Sequence, residues 1–324
     1  MRAPAFWQDR HAVAGRLLAP LGNLYGAVTR WRLAHGHPWQ APIPVICIGN
    51  LTAGGTGKTP IVRDLATRLV RAGRRPHILS RGHGGAARGP LRIDPERHDA
   101  AAAGDEPLLL ARDAPCWIAA DRASGARAIA AAGGDVILMD DGFQNPSLVQ
   151  DLKILVVDGE AGFGNGRLIP AGPLREPVER GLARADAIVL MGPDRADIAS
   201  MISSRLPIFP AALVSPSGDR LDGVKVVAFA GIGRPEKFRA TLTGIGADLV
   251  VFRAFPDHHP YSRKELETLA ADAQRSSATL VTTEKDWVRL PTAWRVRILA
   301  IPIVVRWQDE TAIETLIMQA AAHG

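Results

Sequence analysis

The sequence has 324 residues, 47% of them hydrophobic and 22% charged, a composition that suits a folded globular chain and excludes a disordered or fibrous one. Its formal charge is +6, and +4 of that falls in residues 1–40, where Arg2, Arg10, Arg16, Arg30 and Arg32 face one acid, Asp9. Two cysteines, Cys47 and Cys116, exclude a disulfide framework, lack zinc-site spacing and fit a reducing compartment, while no apolar run approaches the ~18 residues of a membrane-crossing helix.

The opening residues have no apolar stretch followed by a small-residue cleavage site, so a secretory signal is not expected. Within residues 6–32, Leu17, Leu18, Leu21, Leu24, Tyr25, Val28 and Trp31 share one helical arc, with Arg16 and Arg30 opposite. The pattern predicts an amphipathic helix, although Pro20 should break or kink it and Arg10 and Arg32 fall on the apolar side. Two placements fit such a face: the protein's own core, or the interface of an anionic membrane.

From Pro44 onward, short apolar runs at 45–48, 77–79, 116–119, 136–139, 154–157 and 187–191 alternate with glycine-rich or acidic turns and helix-length segments such as 61–72. Runs without polar alternation suit strands buried on both faces, which predicts a mostly parallel α/β sheet flanked by helices. After the linker-like SPSGDRLDG at 215–223, strands predicted at 224–230, 249–252, 279–282 and 297–301 suggest a second, smaller α/β domain. The expected organisation is an N-terminal segment 1–40, a core domain 41–218 and a smaller domain 219–324. Ligands of open parallel sheets bind at the carboxyl ends of the strands, so the chemistry should lie in the loops after these runs.

The sharpest of those loops is VICIGNLTAGGTGKTP at 45–60, a strand, a glycine-rich turn and a helix start. Thr52, Ala53, Gly54, Gly55, Thr56, Gly57, Lys58 and Thr59 would form a phosphate loop, with backbone N–H groups around phosphate oxygens, Lys58 on the β- and γ-phosphates and the Thr59 hydroxyl on Mg²⁺. Thr52 stands where the strict pattern has glycine. DVILMDDGFQN at 135–145 delivers Asp140 and Asp141 to a strand end, the usual place for acids that hold Mg²⁺. GFGNG at 162–166 leads into no recognisable helix and is a poor dinucleotide signal.

Phosphoryl transfer to an alcohol further needs a proton acceptor and cations on the phosphoryl oxygens. Candidate loops are SRGHGG at 80–85, GDEP at 104–107, RLIPAGPLREP at 167–177 and FPDHHPYS at 255–262, each ambiguous alone: Asp105 could cap its helix, and Arg175 could pair with Glu176.

Together, IGNLTAGGTGKTP, SRGHGG, GDEPLLLA, ADRA, ILMDDGFQN, LIPAGPLREP, FPDHHPYS and TTEKDWVRL, in that order over residues 45–290, resemble the tetraacyldisaccharide 4'-kinase family, the lipid A 4'-kinases of Gram-negative bacteria. The resemblance implies transfer of the ATP γ-phosphoryl to the 4'-hydroxyl of a tetraacylated glucosamine disaccharide 1-phosphate, yielding lipid IVA. It also implies ATP and Mg²⁺ as cofactors and a peripheral position on the cytoplasmic face of the inner membrane through the N-terminal helix. By motif, Asp140 and Asp141 match the metal site, and the family's catalytic Asp and His match Asp105 and a histidine of the DHH triplet, His258 in preference to His259. Asp105 would accept the sugar hydroxyl's proton, the histidine would orient it, and Arg175 would contact phosphate. Asn145 departs from the histidine that many members carry after DDGFQ. If Asp105 and the histidine belong to different domains, the site is complete only on closure.

Rival readings are a membrane-surface switch ATPase of the partitioning type, which would need a lysine where the chain has Ala53, and an ATP-dependent ligase or amidotransferase. The basic charge comes without a nucleic-acid recognition motif, so no nucleic-acid partner is expected, nor an obligate protein partner.

Overall fold

A computed structural model describes residues 4–202 and 206–322; Arg2 lies outside them. The larger of two sheets has nine strands, built from β1 (Val45–Gly49), β2 (Pro76–Ser80), β3 (Leu91–Arg92), β4 (Cys116–Ile118), β5 (Val136–Asp140), β6 (Leu152–Asp158), β7 (Ala187–Met191), β8 (Ile208–Val214) and, from the far end of the chain, β13 (Val304–Trp307). The smaller has β9 (Lys225–Ala230), β10 (Asp248–Ala254), β11 (Thr279–Thr283) and β12 (Leu299–Ile301).

The large sheet runs β13-β8-β7-β6-β1-β5-β2-β4-β3, parallel except for its edge strands β3 and β13. β1, β2, β5 and β7 are buried at every residue, which is why their sequences read as unbroken apolar runs. Apolar clusters fill both faces: one around Ile61, Leu65 and Leu138, the other around Cys47, Met139 and Phe143. β1 lies between β5 and β6, so the order reverses beside it and opens the crevice where ligands of such sheets bind.

The smaller sheet, β10-β9-β11-β12, is parallel throughout. The segment 219–324, expected as one smaller domain, does not stay with it. Val304–Trp307 pairs antiparallel with β8, and the helix Glu310–Ala322 buries Ile313, Ile317 and Ala321 in the same cluster as Ile61 and Leu65 of the large sheet's helix Lys58–Arg71. Val305 and Trp307 alternate with exposed neighbours, a half-buried edge pattern without the long apolar run of an interior strand.

Of the break or kink expected at Pro20, the break is absent: the N-terminal helix, Val13–Ala34, is continuous through it. Pro20 faces solvent, where water can satisfy the carbonyl deprived of its partner. Its buried side is not the apolar arc but Gly15, Gly22 and Gly26. A Cβ on Gly22 would stand 2.9 Å from the Leu168 carbonyl oxygen, and one on Gly15 3.2 Å from that of Ala171. The aromatic and leucine-rich arc is turned outward: Val13, Leu17, Leu21, Leu24, Tyr25, Val28 and Trp31 are all exposed. No helix among the described residues is long and apolar enough to cross a membrane.

Candidate active site

Beyond β1 the backbone turns through Gly54 (φ 123°) and Gly57 (φ 88°), conformations that side chains rarely adopt, and enters the helix at Lys58. The buried Asn50 side chain donates to the Thr52 carbonyl at 2.7 Å and to Thr56 Oγ1 at 3.2 Å, fixing the loop from within. Thr52 forms an antiparallel bridge with Leu174, so this position is extended and has no need of glycine. The Ala53 N–H donates to Pro173 O and the Arg175 N–H to Leu51 O, each at 2.7 Å, so the segment 167–176 is strapped along the loop. Asn145, the departure from the family pattern, accepts from Ser147 N and Oγ and shapes its own turn. Its neighbour Gln144 reaches the Asn50 carbonyl and Glu176.

Parallel pairing of Ile48 with Asp140 sets the first acid beside the start of the loop. Asp140 is 3% exposed and its Oδ1 has no hydrogen-bond partner. Burial, then the charges of Glu106 and Asp141, push its carboxyl upward. Asp141 takes a left-handed φ of 52°, rare for a residue with a side chain, and meets Arg175 Nη1 at 2.7 Å and Lys58 Nζ at 3.5 Å. Burial alone would raise this carboxyl, but Lys58 and Arg175 prevail and hold it at about 2. Arg175 therefore sits on Asp141, not on Glu176, which instead receives two hydrogen bonds of 2.7 Å from Arg184.

The hard oxygens of Thr59, Asp140 and Asp141 suit Mg²⁺, which takes few protein carboxylates and keeps several waters, and the partnerless Asp140 Oδ1 is an oxygen such an ion would satisfy. No cluster of three or more His, Cys, Asp or Glu suited to a metal occurs among the described residues.

Asp105 opens the helix Asp105–Leu110 on the large sheet's side, and His258 follows β10 of the smaller sheet; the two meet across the seam. Asp105 is 3% exposed, with Oδ1 accepting from the Glu106 N–H and Oδ2 standing 3.1 Å from His258 Nδ1. Oδ2 makes no well-aligned hydrogen bond, so a buried lone pair is left for an incoming donor. Burial raises this carboxyl, but contact with His258 and the charges of Lys285 and Arg289 overrule it and hold it at about 2. His258 is held at φ 58°, its N–H bonded to the Gly231 carbonyl, while His259 points elsewhere, to Glu265 at 3.0 Å. His258 thus faces Asp105, and His259 faces Glu265.

Ion pairs close the seam on both sides: Arg63 with Glu284 and Lys285 with Glu106 on one, Asp158 with Arg234 and Lys237 on the other. Arg81, His83, Arg88 and Ala120 line a cavity of about 510 Å³ whose wall continues to the start of the Asp105 helix, where Gly85 packs against Ala102 and Gly104. GFGNG serves the N-terminus: Asn165 Nδ2 donates to Phe6 O, and its N–H to Trp7 O.

Lys285 and Arg289, both directed at the Asp105 helix, were not singled out from the sequence beyond their place in TTEKDWVRL. Their four-residue spacing, on one face of a short helical stretch, was the available signal.

A phosphate loop at the switch point of a parallel sheet, with two acids at the end of the adjoining strand, defines a phosphate-loop nucleotide-binding fold. The family model for Tetraacyldisaccharide-1-P 4'-kinase matches residues 14–322, and the chain belongs to this family. It is 54% identical to the tetraacyldisaccharide 4'-kinase of Rhodospirillum centenum over 98% of this chain and 96% of that one. It is 50% identical to that of Paramagnetospirillum magneticum, over 98% of each. Among solved structures, LpxK from Aquifex aeolicus, crystallised in complex with ATP, superposes with a TM-score of 0.76 at 28% identity, covering 94% of this chain and 99% of that one.

Proposed function

We propose that this chain is a tetraacyldisaccharide 4'-kinase acting in lipid A biosynthesis, with MgATP as phosphoryl donor and a tetraacylated glucosamine disaccharide 1-phosphate as acceptor. The observation that carries the chemistry is the buried, hydrogen-bond-free Asp105 Oδ2 facing His258 across the seam, on a helix whose Glu106 acts electrostatically on the metal acid Asp140.

The phosphate loop, residues Thr52 to Thr59, cradles the triphosphate, and Lys58 leaves Asp141 for its β- and γ-oxygens. Thr59, Asp140 and Asp141 would hold Mg²⁺, whose charge would offset that of the transferring phosphoryl oxygens. Arg175 likewise turns from Asp141 to phosphate. The acceptor sugar enters beside the Arg81 cavity, where Arg81 and Arg88 suit its phosphate. Its 4'-hydroxyl gives its proton to Asp105 Oδ2 while the new O–P bond forms and the bond to the β-phosphate breaks, releasing ADP. His258 keeps the carboxylate oriented. Closure of the seam excludes water, the competing acceptor.

The protein works at the cytoplasmic face of the inner membrane, held peripherally by the outward apolar arc of Val13–Ala34. Support comes from that arc being exposed while the glycine side packs, the reverse of a core helix, and from the arginines around it. Incubation with γ-labelled ATP, Mg²⁺ and the tetraacyl disaccharide monophosphate in detergent should give a doubly phosphorylated lipid. Label released only as inorganic phosphate would favour the switch-ATPase reading, and label passing to a carboxylate acceptor the ligase reading.

A further inference from the structure

We propose that Arg289 is a positioning residue for phosphoryl transfer, holding the Asp105 carboxylate and the backbone that carries His258 in fixed relation across the domain seam. The inference rests on the assignment of Asp105 and His258 made above.

The Arg289 side chain is 6% exposed and every arm of its guanidinium is engaged. Nε lies 3.4 Å from Asp105 Oδ2 and donates to the Lys285 carbonyl at 3.1 Å. Nη2 donates to the Gly231 carbonyl at 3.0 Å and stands 3.1 Å from Asp286 Oδ1. Nη1 reaches the His259 carbonyl at 3.4 Å. The Gly231 carbonyl also accepts the His258 N–H, so one oxygen ties the arginine to the left-handed residue facing Asp105.

The far side of the fork is held by several hydrogen bonds. Asp286, fully buried, accepts from the Gly231 N–H at 2.9 Å and from Tyr261 Oη and Thr283 Oγ1 at 2.5 Å each. Gly231 has no space for a side chain, since a Cβ would meet Tyr261 Oη at 2.8 Å. An anchor this constrained holds a rigid planar group in one place, and arginine alone presents several donors in a plane without risk of losing its charge. Lysine could serve one of these partners, not all.

One guanidinium is thus shared by two buried carboxylates, Asp105 in the large-sheet domain and Asp286 in the smaller. The other charged groups bearing on Asp105 are His258 and Lys285 from across the seam and Glu106 on its own helix, while Asp257 lies 3.8 Å from His258 Nε2. Arg289 is one of the cations that hold the Asp105 carboxyl low, so removing it lets that carboxyl rise.

The test is steady-state kinetics of the full-length wild type, Arg289→Met, Arg289→Lys and Asp105→Asn, with labelled ATP and the lipid acceptor in detergent, beside their melting temperatures. Arg289→Met should lower kcat roughly 100-fold, the scale of a small misplacement at a reacting centre, with KM for ATP within about twofold of wild type. Arg289→Lys should keep kcat about tenfold low at a near-wild-type melting temperature, because the charge is restored and the fork is not. A purely structural role would lower the melting temperature and leave kcat of the folded protein at the wild-type value, which overturns the proposal. Should Arg289→Met not fold, Arg289→Lys decides, and a wild-type kcat in it overturns the proposal equally. Asp105→Asn separates the two levels: wild-type kcat there removes the Asp105 assignment itself, whereas an inactive Asp105→Asn beside an Arg289→Met of wild-type kcat removes only the role of Arg289.

Discussion

Replacing Leu17, Leu21 and Leu24 with serine addresses the outward arc of the N-terminal helix directly. These side chains are 75%, 55% and 63% exposed, so their substitution removes little packing within the protein. Fully burying a leucine is worth roughly 1.5–3 kcal/mol, and returning the exposed half to three-quarters of each to a lipid interface is worth roughly 1 kcal/mol or more apiece. Three such losses come to about 3–4 kcal/mol, which at about 1.4 kcal/mol per decade lowers the membrane partition coefficient by at least ~100-fold. Sedimentation with vesicles containing anionic phospholipid measures that coefficient. The melting temperature should barely move, since surface substitutions of this kind usually change stability by no more than about 0.5 kcal/mol. Phosphorylation of detergent-dispersed acceptor should likewise stay within about twofold. Equal partitioning of the triple variant and the wild type would refute the reasoning, because the exposed arc would then have no lipid to cover it.

Asp105→Asn should lower kcat by roughly 10²–10⁴, the usual contribution of a positioned proton acceptor, and an unchanged kcat would remove that role. The same variant tests the pH dependence of stability. The folded carboxyl sits at about 2 against an ordinary 3.8, so its stabilisation, about 2 kcal/mol, is present above the unfolded value and lost as the pH falls through about 2. The gap in melting temperature between wild type and Asp105→Asn should therefore narrow on acidification through that window; a gap independent of pH contradicts the assignment. Thr52→Gly, which restores the strict phosphate-loop pattern, should not tighten ATP binding and should cost about 0.5–1 kcal/mol of stability, because the position is an extended bridge with Leu174. A KM for ATP several-fold lower in that variant would show that the glycine is missed.

The interior of the large sheet was legible because β1, β2, β5 and β7 are buried on both faces and their sequences must be apolar throughout. β8 and β13 were not, since one carries Pro210 and exposed residues and the other alternates as an edge. The phosphate loop was legible because its chemistry is local: glycines, lysine and threonine act within a few residues of one another. Asp105 and His258 needed the family resemblance, as nothing in GDEP or DHH alone says that the two loops meet. Arg289 was harder to read for a further reason. In KDWVRL it has the spacing of any surface helix arginine, and only tertiary structure shows it buried between two carboxylates. The N-terminal arc was read correctly as a face, but its direction was open on residues alone, because glycines on the opposite side carry no hydrophobic signal and yet form the packed surface.

Those glycines connect the N-terminal helix to the phosphate loop through one short stretch of chain. Leu168 and Ala171 lie under Gly15, Gly22 and Gly26, and Asn165 and Pro170 hold the backbone of Phe6 and the indole of Trp7. A few residues further on, Pro173 and Leu174 pair with Ala53 and Thr52 of the phosphate loop and Arg175 with Leu51 just before it, and the Arg175 side chain lies on Asp141. Backbone bonds from Leu174 N to Arg167 O and from Ile169 N to Leu174 O close the segment on itself, so it is a brace with its polar groups satisfied and not a slack linker. On the proposed reading, with the donor taken from water and the acceptor from a lipid surface, the triphosphate is to be held at a set height above that surface. A braced connection between the two contacts meets this requirement with local structure, whereas a flexible tether would leave the distance to be fixed anew at each encounter, at an entropic cost.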